Sequence, residues 1–155
     1  MLYAGLALLG LALLGGGGIY GYREYLRGKP SPIWVPLALR ADLSMEDQNK
    51  LAETIEQELR KENILRQVAI DADLQKGFSL PDQEATVKEL DKRLFVKVGS
   101  ADTPDGLMPS INVGLNGTGH EKKVLEAGAT RMIREVWKLI GMDPETGRPR
   151  KPSED

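Results

Sequence analysis

The first twenty-two residues constrain this chain most, because they contain an uncharged hydrophobic run long enough to cross a bilayer. No charged side chain occurs from Leu2 to Tyr22, and the first charge is that of Arg23. As an α-helix this run would be about 31 Å long, close to the thickness of the hydrocarbon core of a membrane. We therefore predict a transmembrane anchor over residues 1–22.

Two other interpretations of the run are open, a secretory signal peptide and a buried core helix. A signal peptide carries basic side chains before its apolar stretch, whereas only the terminal amine precedes this one. A core helix in a small domain usually has one polar face, whereas this run is apolar on all sides. The anchor is the favoured interpretation.

The C-terminal end of the run has the composition of a membrane–water interface. Tyrosine is enriched at bilayer interfaces, and basic side chains favour the cytoplasmic side. The predicted interface segment consists of Tyr20, Tyr22, Arg23, Tyr25, Arg27 and Lys29. Because the basic residues follow the span, the positive-inside rule predicts a single-pass protein of the cell (inner) membrane, with its N-terminus outside and its domain in the cytoplasm.

The predicted anchor is also rich in glycine. Small residues allow helix backbones to approach closely in lipid, although each glycine weakens a helix in water by up to about 1 kcal/mol relative to alanine. We predict a helix-packing face that contains Gly10, Gly15, Gly16, Gly17, Gly18 and Gly21. The alternative is that these residues only reflect the general frequency of glycine in membrane spans.

Composition divides the rest of the chain into a linker, one domain and a tail. Residues 23–32 form the predicted juxtamembrane linker, because Pro30 and Pro32 cannot continue a helix. Residues 33–141 are the predicted soluble domain, and residues 142–155 a flexible polar tail. Trp34 follows the linker directly and is expected either at the membrane interface or packed into the domain.

Hydrophobic periodicity predicts an α+β domain, a small sheet with packed helices in the order β-α-β-α-β-β-α. The first strand runs from Ile33 to Arg40, and Pro36 restricts it to a sheet edge or a bulge. Ser44 is the predicted N-cap of a helix that ends near Asn63. Alternating apolar residues then predict a second strand at Val68, Ile70 and Ala72.

In the second half of the domain, Pro81 begins the second predicted helix. Strands follow at Phe95–Val98 and at Ile111–Leu115, and a last helix runs over about residues 120–140 before Gly141. The stretch 99–110 between the two strands is predicted to be a loop, because it contains several proline and glycine residues and exceeds a tight hairpin.

Composition also limits the chemistry. The chain has no cysteine and one histidine, His120, which excludes thiolate sites and histidine pairs. A net charge of −2 gives no electrostatic case for nucleic acid. The pairs Asp71/Asp73 and Asp102/Asp105 could hold a cation but are more typical of solvated turns. We expect no catalytic site, no metal and no cofactor.

One local motif remains, the glycine-rich stretch from Gly114 to Gly119 between a predicted strand and a predicted helix. Backbone amides at a helix N-terminus bind phosphate, and glycine permits close approach. A possible anion site would contain Gly117, Thr118, Gly119 and Lys122. The alternative is a turn in which Thr118 caps the last helix.

The layout of one N-terminal span, basic residues after it and a cytoplasmic domain resembles that of accessory subunits in large membrane complexes. Examples are the membrane-anchored H subunit of bacterial photosynthetic reaction centres and the single-span supernumerary subunits of respiratory complexes. The resemblance concerns organisation only, so no binding residues are carried over. It implies a non-catalytic accessory or structural subunit, with other membrane-protein subunits and the lipid bilayer as partners. A membrane-tethered binding module for a phosphorylated ligand is the alternative.

Overall fold

The computed structural model describes residues 28–104 and 106–143, so the predicted anchor lies outside the described residues. Within these ranges, no helix is both long and apolar enough to cross a bilayer. The α+β class is confirmed. The elements are β1 (Ile33–Ala38), α1 (Met45–Leu59), α2 (Glu62–Asp71), α3 (Leu74–Gly77), α4 (Gln83–Arg93), β2 (Leu94–Thr103), β3 (Gly106–Leu115), a 3₁₀ turn (Gly119–Glu121) and α5 (Lys122–Leu139).

The three strands form one antiparallel sheet in the order β1-β3-β2. Ile33, Leu115 and Leu94 lie side by side at one end of it. This is where the chain enters the domain from residue 28, and we call it the entry end. As predicted, β1 is an edge strand.

The position of Pro36 in β1 is consistent with that edge. Backbone hydrogen bonds from Ser31 to Gly117 and from Leu39 to Pro109 flank the β1–β3 ladder. In an antiparallel pair, every second residue directs its backbone groups at the neighbouring strand. By this register Pro36 faces the open edge, so its missing N–H removes no bond from the ladder.

The core lies between one face of the sheet and the helices. Alternate residues of the strands point to this face, and the helices contribute their apolar stripes. Only these inward residues of the sheet join the core cluster. Representative members are Val96, Ile111, Val113, Ile55, Leu59, Leu125, Met132 and Val136.

Two of the helices begin at side-chain caps. The Ser44 hydroxyl accepts a hydrogen bond from the Asp47 amide at 3.1 Å, as predicted for the start of α1. Asp82 accepts from the Ala85 amide at 2.8 Å and so caps α4. The helix therefore begins at Gln83, two residues after the predicted start at Pro81.

The strand predicted at Val68, Ile70 and Ala72 is wrong, because this segment belongs to helix α2. The buried residues of α2 are Leu65, Val68 and Ala69, which have helical spacing, whereas Ile70 is 53% exposed. The order within the described residues is therefore one strand, four helical segments, two strands and a last helix.

The loop predicted over residues 99–110 is also wrong. β2 and β3 pair continuously up to Thr103 and Gly106, so only Pro104 and Asp105 lie between them. Gly106 has a φ of +107°, which a residue with a side chain rarely adopts. Pro109 does not interrupt the pairing with β2, because by the register its nitrogen faces the β1 side.

Candidate functional site

The entry end joins the predicted linker to the start of the last helix. Pro30 forms an isolated antiparallel bridge with Thr118. The Ser31 amide donates to the Gly117 carbonyl at 2.7 Å. The last residues of the predicted linker are thus held against the domain, and Lys29, the part of the predicted interface segment that the structure describes, is exposed.

The glycine-rich stretch is shorter than the sequence suggested, because Gly114 and Leu115 are the last residues of β3. After them, Thr118 and Glu121 form a capping box at the 3₁₀ turn. The Thr118 amide and hydroxyl both donate to Glu121 Oε2, each at 3.0 Å. Thr118 is therefore the N-cap of the 3₁₀ turn that precedes α5, whereas the alternative interpretation expected it to cap the last helix itself.

A second partner of Glu121 is Arg93 at the end of α4. Arg93 Nη2 lies 2.9 Å from Glu121 Oε1, and Arg93 Nε donates to Glu89 at 2.8 Å. The bond from Arg93 lowers the pKa of Glu121, and the bonds from Thr118 add to this against partial burial. Glu121 is therefore held ionised between two elements.

The predicted anion site lies in this network. Gly117 packs closely, since an added Cβ would lie 2.5 Å from Leu125 Cδ1 and 3.0 Å from Arg93 Nη1. The Thr118 amide already binds the Glu121 carboxylate, and Lys122 lies 3.7 Å from Glu126. His120 is exposed in the 3₁₀ turn. An external anion would have to compete with a carboxylate of the chain itself.

Beside this loop, an open groove of about 450 Å³ separates β1 from α5. Residues 32–35 line one side, and Lys122, Glu126 and Thr130 line the other. These three lie four residues apart on a helix and so form one stripe. The groove thus combines the apolar start of β1 with a lysine at the start of α5.

The outward face of the sheet carries an aromatic strip at the entry end, formed by Trp34 and Phe95 on either side of Gly114. An added Cβ on Gly114 would lie 2.7 Å from Trp34 Cβ and 2.7 Å from Phe95 Cζ. Lys97 Nζ lies 5.6 Å from the Phe95 ring centroid. Trp34 remains 49% exposed, so of its two expected positions the structure excludes a buried one.

At the opposite end of the sheet, the β2–β3 hairpin projects beyond β1. The ladder with β1 ends at Ser110, whereas β2 and β3 stay paired for four further positions, through Thr103 and Gly106. Leu107, in this projecting part, is 74% exposed. The hairpin therefore presents an aliphatic side chain to the surroundings.

The carboxylate pairs do not assemble a metal site in the described part of the chain. Asp71 pairs with Arg131 at 2.7 Å, and Asp73 has a left-handed backbone with φ of 49°. Asp102 is exposed on β2, and Asp105 lies outside the described residues. No group of three or more potential metal ligands occurs among the residues that were described.

Sequence reasoning missed the role of two residues at opposite ends of the sheet. Leu107 was assigned to a loop, and Phe95 was assigned to a strand without stating which face of the sheet it is on. For Phe95 a signal was available, because Leu94 and Val96 alternate with Phe95 and Lys97 and so separate an inward from an outward face. The predicted helix-packing glycines and the predicted interface residues before Gly28 lie outside the described residues.

Comparison of the chain with protein-family models, with curated proteins and with solved structures finds no match.

Proposed function

We propose that this chain is a non-catalytic accessory subunit of a multisubunit membrane protein complex. Residues 1–22 anchor it in the cell (inner) membrane and pack against partner helices through their glycine face. The domain stays in the cytoplasm close to the membrane surface and stabilises the assembly by contacting other membrane-protein subunits.

The projecting β2–β3 hairpin is the observation that carries the protein-contact part of this proposal. Its outer part has no third strand alongside, and Leu107 is 74% exposed there. An exposed aliphatic side chain on an unsupported hairpin contributes little to the core of its own domain. Burial against a partner would stabilise the contact by about 1.5–3 kcal/mol for one leucine side chain.

The test is purification of the tagged full-length chain from its own membranes in mild detergent. We expect a discrete larger species that contains other membrane proteins, and we expect Leu107→Lys to reduce their recovery several-fold. Ile70→Lys is the matched control, since Ile70 is also an exposed aliphatic residue, at 53%, but lies on α2. A monodisperse isolated chain, or equal losses in both variants, would contradict the proposal.

The alternative function, binding of a phosphorylated ligand by the stretch 114–119, ranks second. The Thr118 amide is hydrogen-bonded to Glu121, and Arg93 has two carboxylate partners. No contact among the described residues of this loop favours an external anion over this internal one.

A further inference from the structure

The length of chain between the predicted anchor and the domain limits how far the entry end can lie from the bilayer. Five residues, 23–27, separate Tyr22, the end of the uncharged run, from Gly28, where the described structure begins. The six residue-to-residue steps from Tyr22 to Gly28 reach at most about 20–22 Å when fully extended. From Pro30 and Ser31 onwards the backbone is tied to the loop after β3. The entry end is thus confined to the neighbourhood of the membrane surface.

The side chains at this end suit a lipid headgroup layer. Trp34 lies at the second position of β1 and stays 49% exposed beside Gly114 and Phe95. Tryptophan prefers the membrane interface, because its ring is largely apolar and its N–H needs a polar partner. The groove next to Trp34 opens between apolar residues of β1 and Lys122.

Four exposed lysines lie at or next to the entry end. The Lys92 side chain is 77% exposed and that of Lys122 is 62% exposed, and Lys29 and Lys123 are exposed as well. Of the acidic groups there, the Glu121 side chain is 26% exposed and bonded to Arg93, whereas the Glu126 side chain is 50% exposed and lies 3.7 Å from Lys122. Each basic residue near an anionic leaflet contributes about 1 kcal/mol to membrane attraction.

We infer that the entry end of the domain docks on the anionic lipid headgroup layer, with the Trp34 side chain inserted among the headgroups and Lys29, Lys92, Lys122 and Lys123 facing the phosphates. This inference rests on the proposed membrane anchor. It assigns the aromatic strip and the β1–α5 groove to lipid, and it leaves the projecting hairpin at the opposite end of the sheet for protein partners.

The chain contains two tryptophans, Trp34 and Trp137, which allows a direct test. Trp137 lies fifteen residues after Lys122 in α5, a distance of about 22 Å along the helix. The full-length Trp137→Phe variant is reconstituted into vesicles of phosphatidylcholine and phosphatidylglycerol whose acyl chains are brominated close to the headgroup. We expect several-fold stronger quenching of Trp34 in this variant than of Trp137 in Trp34→Phe.

A second measurement avoids any change at half-buried Trp137. The quenching lost between the unsubstituted chain and Trp34→Phe reports the same contact, and circular dichroism checks that both are folded. Replacing phosphatidylglycerol by phosphatidylcholine should reduce the quenching markedly, because the lysines then lose their counter-charges.

The outcomes separate this inference from the proposed function. If alkaline carbonate extracts the chain from the vesicles, the anchor itself is wrong. If the chain resists extraction but Trp34 is not quenched, or is quenched equally without anionic lipid, the docking inference is overturned while the anchor stands. If Trp34 is shielded from solvent in native membranes but not in the lipid vesicles, the docking inference is also overturned, and a protein partner covers this face.

Discussion

Gly114 shows how one missing side chain shapes the outward face of the sheet. It lies on the central strand with Trp34 on one neighbouring strand and Phe95 on the other. Because Gly114 has no Cβ, the two aromatic side chains approach the same place and bury it. The aromatic strip therefore depends on glycine at this position. Glycine is required because a side chain would not fit between the aromatic rings, and not because of an unusual φ.

Gly114→Ala should lower the free energy of unfolding by about 1–3 kcal/mol, because inserting a methyl group into a filled site forces its neighbours apart. The added Cβ would contact the Ile33 carbonyl, which is backbone, as well as the two aromatic side chains. Urea unfolding of the full-length chain in detergent, followed by circular dichroism, measures the change.

Gly99→Ala is the control, since Gly99 lies on the same face of the same hairpin. An added Cβ there would meet the terminal amide of Asn112, which can rotate away. We expect a change within about 0.5 kcal/mol, as for most surface substitutions. Equal destabilisation by both alanines would mean that the aromatic strip is not tightly packed around Gly114.

Prolines illustrate at the residue level what could be predicted from sequence. Pro36 restricted β1 to an edge or a bulge, and β1 is an edge strand. Pro109 suggested a loop, yet it lies within β3 because its nitrogen faces the side where β1 has ended. Which edge of a strand a proline faces depends on register, and register is set by long-range pairing that a local pattern does not contain.

Among the elements, helix α2 was predicted wrongly for a definable reason. The apolar residues from Leu65 to Ala72 fit both periods over so short a segment, and the N-cap residue Lys61 makes no side-chain capping bond. The decisive contacts are tertiary, since Leu65, Val68 and Ala69 belong to the core. Helices α1, α4 and α5 were found because they are longer or begin at recognisable caps.

The β2–β3 hairpin depends on the backbone at Gly106. Its φ of +107° is strained for any residue with a side chain, and nothing lies within 4 Å of an added Cβ. Gly106→Ala should therefore cost about 1–3 kcal/mol through backbone conformation alone. Urea unfolding gives the size of the effect, and hydrogen exchange of the strand amides shows whether the loss is confined to the hairpin.

Gly114 and Gly106 lie at opposite ends of β3. Gly114→Ala acts through crowding of the entry end, whereas Gly106→Ala acts at the tip and should accelerate exchange there first. A neutral or stabilising Gly106→Ala would show that the turn can adopt another conformation without cost.

At the scale of the whole molecule, an ion pair joins α2 to α5 and is continued by further ion pairs within α5. Asp71 of α2 binds Arg131, and Glu135 binds Arg131 and Lys138. Burial opposes ionisation of Glu135, but the two cations outweigh it and lower its pKa. The hydrogen bond from Arg131 likewise lowers the pKa of Asp71.

The lowered pKa values of Asp71 and Glu135 set the sign of the pH dependence of stability. A carboxylate whose pKa is lower in the folded state stabilises the fold above its unfolded pKa, and this contribution is lost as the pH falls through the folded pKa. The unfolded pKa values are about 4. The free energy of unfolding should therefore be steady between about pH 5 and pH 8 and should decline below about pH 4.

Glu135→Gln tests the assignment, because Glu135 and Arg131 are both largely buried. We expect a loss of about 1–3 kcal/mol at neutral pH and a shallower decline in acid than for the unsubstituted chain. Glu46→Gln, which removes an exposed pair with Lys50, should change stability by less than about 1 kcal/mol. An acid decline of unchanged steepness in Glu135→Gln would assign the effect to other carboxylates.

The two proposed contacts of the molecule, with lipid and with protein, lie at opposite ends of the sheet. The entry end carries the aromatic strip, the groove and the lysines, and the hairpin projects at the other end. Sequence patterns predicted the class of fold and most helices, whereas the predicted anchor lies outside the described residues. They did not identify these two surfaces, because each one is formed by residues far apart in the chain that only the sheet register brings together.

The orientation of Pro36 has a consequence for how copies of this protein tolerate crowding. An exposed strand edge is a template for pairing with another chain. Along β1, the register directs the backbone N–H and C=O groups of only Trp34, Pro36 and Ala38 at the open edge. Pro36, the central one of the three, has no N–H to donate. A second copy could not continue the sheet there without leaving a gap in its ladder, so this edge is protected against edge-to-edge aggregation.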